Sequence, residues 1–188
     1  MADGNKVRFG LSNVRFGLYT VGENDAVTMG TPVAQKGAVS LTLDPETAES
    51  VFHADNQIYY QENKDNGFTG ELEMAKFDDE VKTTFLNYVA MTGGGIGQVK
   101  TMPTKKVYIA FQIEGDVQAR RTILYNVSLG QISFNHATTE DTNEPTTETL
   151  PITVIGDNKT GLVKASFETG DTQYSTLFTQ PAAPALPA

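Results

Sequence analysis

Val39, Leu41 and Leu43 alternate with Ser40 and Thr42, and further along Leu72 and Met74 alternate with Glu71, Glu73 and Ala75. A period of two belongs to strands with one dry face, and it predicts a long β-hairpin over residues 38–75. A two-residue turn at Asn56 and Gln57 sets Asp55 against Ile58. Continued down the arms, that register puts Leu41 opposite Leu72 and Val39 opposite Met74, apolar against apolar. Between Asp44 and Asn66 the pattern gives way to polar and aromatic residues. This part of the hairpin projects past any single core, and an isolated two-stranded piece is marginal in water, so it is expected to find surface on another subunit. Asp44, Phe52, His53, Asp55, Tyr59, Tyr60 and Asn66 mark the expected contact.

Elsewhere strand signals outnumber helix signals. VRFGL occurs at residues 7–11 and again at 14–18. A spacing of seven reverses strand facing, so these are two short extended pieces and not an architectural repeat. Residues 22–37, with several glycines, Asn24, Asp25 and Pro32, are expected to form a loop. A helix is predicted over residues 79–91: Asp78 or Asp79 caps its first turn, Val81, Phe85, Tyr88 and Val89 share one face, and Gly93 stops it. Val107, Ile109, Phe111 and Ile113 alternate with more polar neighbours, Gly115 and Asp116 turn the chain, and Ile123, Tyr125, Val127 and Leu129 form the return arm. The Thr-rich acidic stretch 135–149 reads as a solvated loop. Leu150, Ile152 and Val154 form a strand, residues 157–161 a turn and residues 162–167 a further strand. The closing PAAPALPA lacks the donors of a helix or central strand and reads as a flexible tail over residues 181–188, leaving one domain over residues 1–180.

Composition narrows the chemistry. With 188 residues, 39% of them hydrophobic, the chain can bury one sizeable core. No apolar run is long enough to span a membrane, and the first residues do not read as a signal peptide, so synthesis in the cytoplasm is expected. The chain has no cysteine, which excludes disulfides, thiolate metal sites and cysteine nucleophiles. A formal charge of −9 suits a surface that lets nucleic acid pass better than one that grips it.

A catalytic set is not legible. His53 and His136 lie far apart, in no metal-binding spacing. Glu71 and Glu73 share a strand face as neighbours, whereas a glycosidase pair must oppose each other across a cleft. The run from Gly93 to Gly97 fails the phosphate-loop pattern, because Val99 precedes Lys100 where a glycine is needed, and it follows a helix; it reads as a flexible connection. Lys105, Lys106, Arg120 and Arg121 flank the ends of one hairpin, where they protect strand ends or pair with carboxylates of a neighbouring copy. No enzyme activity, metal or cofactor is expected.

The segments GAVSLTLDPETAESVFHADNQIYY, NGFTGELEMAKFDDEVKTTFL, VYIAFQIEGD, ARRTILYNVSLG, TTETLPIT and GLVKA, in this order from about Lys6 to Phe167, resemble the major tail tube proteins of long-tailed phages with non-contractile tails. The resemblance implies a mainly β fold, a β-sandwich or barrel-like tail tube fold with one flanking helix and a long projecting hairpin. It further implies stacked hexameric rings forming a tube for genome ejection, located in the phage tail after assembly in the host cytoplasm. Tape-measure, tail-terminator and baseplate or distal tail proteins are the implied partners, with DNA passing unbound and no membrane contact. In such a tube an acidic inner wall keeps phosphate from sticking, and Glu71 and Glu73 are the first candidates to face the lumen. The alternative is an all-β binding module, carbohydrate-binding or adhesin-like, against which stands the absence of tryptophan for sugar stacking.

Overall fold

The computed structural model describes residues 10–100, 103, 105–115, 118–134 and 146–187. Residues 7–9 of the extended piece expected at 7–11, Asp116 and most of the Thr-rich stretch, with His136, lie outside them. β1 (Leu11–Val21), β2 (Val27–Met29) and β3 (Val33–Ala34) precede the long pair β4 (Ala38–Ala54) and β5 (Gln57–Met74). The helix α1 (Asp79–Phe85) and the small pair β6 (Tyr88–Ala90) and β7 (Ile96–Gln98) follow. Then come β8 (Lys106–Ile113), β9 (Arg121–Leu129), β10 (Ser133–Phe134), β11 (Glu148–Val154) and β12 (Lys164–Phe167). The protein is mainly β, with one α-helix among the described residues. One large antiparallel sheet runs in the order β2-β1-β8-β9-β11-β5-β4, with β3 added to β1, β10 to β11 and β12 to β9. Residues 22–37, expected as a loop, thus carry two short strands that extend β1 on its outer edge.

The sheet curls, because strands far apart in its order feed one core. Val14 and Phe16 of β1, Leu72 and Met74 of β5, Val107 and Ile109 of β8 and Leu150 and Ile152 of β11 share a cluster that α1 closes with Val81 and Phe85. A second cluster lies on the other face: Tyr19, Tyr108, Ala110, Ile123 and Tyr125, covered by Leu177 and Phe178 of the C-terminal segment. The two middle strands are therefore buried on both sides. Asn126, at φ 50, breaks the alternation of β9, so Val127 and Leu129 join the first core while Ile123 and Tyr125 join the second. The four residues read as one face of the return arm are split by this bulge.

The helix is half as long as its periodicity predicts. Val81 and Phe85 are buried as expected, but Leu86 is already extended, at φ −103 and ψ 172. Tyr88 and Val89 pair instead with Gln98 and Gly97. Thr83, Thr84, Tyr88 and Val89 are weak helix formers, and the second strand they can pair with decides the outcome. Gly93, Gly94 and Gly95 all have positive φ, so the glycine run is the turn of this small hairpin and not a loose connection. At the other helix end the Asp78 side chain does not cap. The buried Gln35 side chain does so from outside: its Oε1 accepts from the Asp78 N–H, and its Nε2 donates to the Lys36 and Lys76 carbonyls. Glu148 accepts from the Phe77 N–H and pairs with Lys82 at 3.0 Å.

Leu41 faces Leu72 across the long hairpin, as predicted. The turn is one residue earlier than expected, at Asp55 and Asn56, with φ 51 and 61. Both angles are positive, as a primed two-residue turn demands, and aspartate and asparagine tolerate them. Register shifts at Phe52/His53 and Pro45/Thr47 bring the arms back to the expected pairing at Leu41. A third shift at Ala38/Ser40 puts Ala38 opposite Met74 and leaves Val39 half exposed, where Val39 had been expected against Met74.

Candidate functional site: an unpartnered arm and a polar sheet face

The arm begins where β5 leaves the sheet. A Cβ on Gly67 would lie 2.0 Å from the Val154 carbonyl oxygen, and one on Gly70 would lie 1.9 Å from that of Thr42. Only glycine lets the backbones approach this closely. Gly67 also has φ +95, and its N–H donates to Asp65 Oδ1 at 2.9 Å, which fixes the exit. Beyond this point every residue of the two strands up to the turn is exposed except Ala54, which is half-buried. Phe52, His53, Asp55, Tyr60 and Asn66 lie along the arm, and Tyr59 stands 77% exposed near its tip. Phe52 and Tyr59 meet edge to face, with centroids 6.5 Å apart; Val51 and Ile58 are exposed beside them. The arm carries Glu46, Glu49, Asp55, Glu62 and Asp65 against the single Lys64. This aromatic patch on a strongly acidic two-stranded support packs on nothing else among the described residues.

Asp44 belongs to a different surface from the tip. It pairs with Thr69 and lines a shallow depression with Thr42, Thr69, Gly70, Glu71 and Pro151. This is the solvent face of the sheet, opposite Leu72 and Leu150. Cross-strand pairs continue it: Ser40 with Glu73, Thr42 with Glu71, Glu73 with Thr149, and Thr153 with Ser128. Glu73 accepts from Thr147 Oγ1 at 2.7 Å and from Ser40 Oγ at 2.9 Å, and these two bonds hold its carboxyl below the ordinary range. Glu71 is exposed beside it. The two predicted wall residues thus share one hydroxyl-rich, acidic face.

The basic residues divide. Arg120 pairs with Glu168, and Arg121 lies over the Tyr174 and Phe178 rings, 4.1 and 4.3 Å from their centroids, while donating to the Tyr174 carbonyl. Both hold the C-terminal segment on the second core. Lys105 donates to the Thr84 carbonyl at the end of α1, and Lys106 to Ser128 Oγ. Neither meets a carboxylate among the described residues.

Sequence reasoning missed the C-terminal clasp, since Leu177 and Phe178 stand isolated in a polar stretch. Among the described residues no group of histidines and carboxylates could hold a metal ion, and no helix is long and apolar enough to cross a membrane.

No protein-family model matches the chain, and no curated protein matches it by sequence. Among solved structures it is similar to a chain of the anti-feeding prophage (AFP) baseplate, at 10% identity and a TM-score of 0.42, over 87% of this chain and 96% of that one. It is similar also to a chain of the tube-terminating cap of the same prophage, at 12% identity and a TM-score of 0.43, over 90% and 98%.

Proposed function

We propose that the protein is a structural subunit of a phage tail tube, self-assembling into stacked hexameric rings whose channel passes the genome. The observation that carries this reading is the arm: an exposed aromatic tip on an acidic two-stranded extension that none of the described residues covers. Solvated alone, such a piece gains little from pairing and exposes apolar rings; packed on a neighbouring subunit it buries them. The hydroxyl-rich acidic face around Glu71 and Glu73 supports a channel wall, because fixed carboxylates repel phosphate and leave a mobile water layer between wall and DNA. The chain-wide resemblance of its segments to tail tube proteins points the same way. In this reading the protein has no catalytic role and no cofactor. It assembles in the host cytoplasm, resides in the virion tail, and meets tape-measure, terminator and baseplate or distal tail proteins at the tube ends.

Sedimentation velocity of the intact chain and of a chain lacking residues 46–64 tests it. The intact protein should form large assemblies, and the truncated one should remain a folded monomer. Equal assembly by both would remove the arm from the interface.

A further inference from the structure

Asn66 is the only asparagine of the chain that is followed by glycine, and the fold sets this pair at the root of the arm. The ladder between the two long strands passes from Pro45 against Phe68 to Thr47 against Asp65. Glu46 therefore stands opposite two residues, Asn66 and Gly67, which form a bulge outside the regular pairing. Asn66 is exposed, and its carboxamide makes no hydrogen bond among the described residues. The Gly67 N–H donates to Asp65 Oδ1 at 2.9 Å. Three consecutive residues thus bring together a carboxamide free to turn, an amide nitrogen that no Cβ shields, and a carboxylate already holding that nitrogen's proton.

We infer that Asn66 is a site of spontaneous deamidation, with Asp65 as the base. The Gly67 nitrogen attacks Asn66 Cγ while the Asp65 carboxylate accepts its proton. The new N–Cγ bond closes a succinimide ring, the Cγ–Nδ2 bond breaks, and Asp65 returns the proton to the departing ammonia. Water then opens the ring. Addition at Cγ leaves aspartate; addition at the main-chain carbonyl leaves isoaspartate, whose backbone runs through Cγ and is longer by one carbon. Gly67 cannot absorb that carbon, because it is pressed so closely on the Val154 carbonyl that even a Cβ has no room. The displacement falls on the arm side and offsets the pairing of Thr47 with Asp65. Either product adds one negative charge to an arm with five carboxylates and one lysine. The chemistry needs no partner, so it is independent of the self-assembly proposed above.

Mass spectrometry of the intact chain, aged in mildly alkaline buffer in its native state and in urea, tests this. Samples are digested briefly with trypsin, and the peptide over residues 65–76 is separated into its aspartyl and isoaspartyl forms. The native protein should gain about one mass unit at Asn66, at least as fast as the chain in urea. Asn56 and Asn63, exposed on the same arm but followed by Gln57 and Lys64, should stay unconverted over the same period. Asp65→Ser keeps an acceptor for the Gly67 N–H but removes the base. It should slow the native reaction on the order of tenfold, because a carboxylate is a weaker base than the groups usual in this role, and should change the rate in urea far less. A native chain left unconverted while the chain in urea reacts would overturn the proposal, since the bulge would then shield Asn66. Equal native rates with and without the Asp65 carboxylate would contradict its role as the base.

Discussion

The Tyr19 hydroxyl donates to Asp157 Oδ1 at 2.6 Å in the interior, tying β1 to the loop after β11 across 138 positions of sequence. Asp157 Oδ2 accepts from the Thr160 N–H and hydroxyl, both at 2.7 Å. Burial of Asp157 raises its carboxyl, but the bonds from Tyr19, Thr160 and the Lys159 backbone outweigh burial and hold it below its ordinary value. Tyr19→Phe should cost about 1–3 kcal/mol, because it leaves a buried carboxylate oxygen short of a donor. Denaturant unfolding at neutral pH measures it.

The same group predicts an acid limb. Its folded pKa lies below its unfolded one, so its contribution is complete above the unfolded value, near 4, and drains away as pH falls through the folded value. Asp157→Asn should lower stability at pH 7 and flatten the loss below pH 4 in thermal melts. A limb of unchanged slope would show that Asp157 does not govern it. At the alkaline end burial pushes Tyr125 up to about 12 and Tyr19 and Tyr108 further still. Their share of stability should persist below pH about 10 and fade above it.

Phe85 is 2% exposed and packs at 6.0 Å from the Phe16 ring. Phe85→Ala should cost about 3–5 kcal/mol, read as a shift in the urea midpoint. A loss under about 1 kcal/mol would mean that α1 is dispensable to the first core.

What the sequence disclosed depended on whether a residue's neighbours in the fold were also its neighbours in pattern. Leu41 against Leu72 was legible because alternation survives near the core. The turn itself was misplaced by one residue because two bulges, invisible to a period of two, lie between. Val81 and Phe85 were legible as helix, while Tyr88 and Val89 continued the helical spacing by coincidence and found a strand partner across the glycine turn. The outer face of β8 read as half-polar. Tyr108 and Ala110 are buried there because Leu177 and Phe178 return from the far end of the chain, a contact no local pattern encodes. The arm's exposure was foreseeable from Phe52, Tyr59 and Tyr60 in a run without apolar alternation.

Glu71→Lys with Glu73→Lys should leave the fold intact, since both side chains lie on the solvent face and only the Ser40 and Thr147 bonds are lost. If this face lines the channel, tubes of the variant should retain duplex DNA at low salt and release it at moderate salt, as counterion competition requires. Tubes that never retain DNA would place these residues outside the channel.

Electron microscopy of the purified, intact chain over a range of concentrations tests the central claim most directly. Six-fold rings and hollow tubes, with the arm resolved against a neighbouring subunit, are the result this account predicts. A population of single, monodisperse particles at every concentration, with a bare arm, would contradict it.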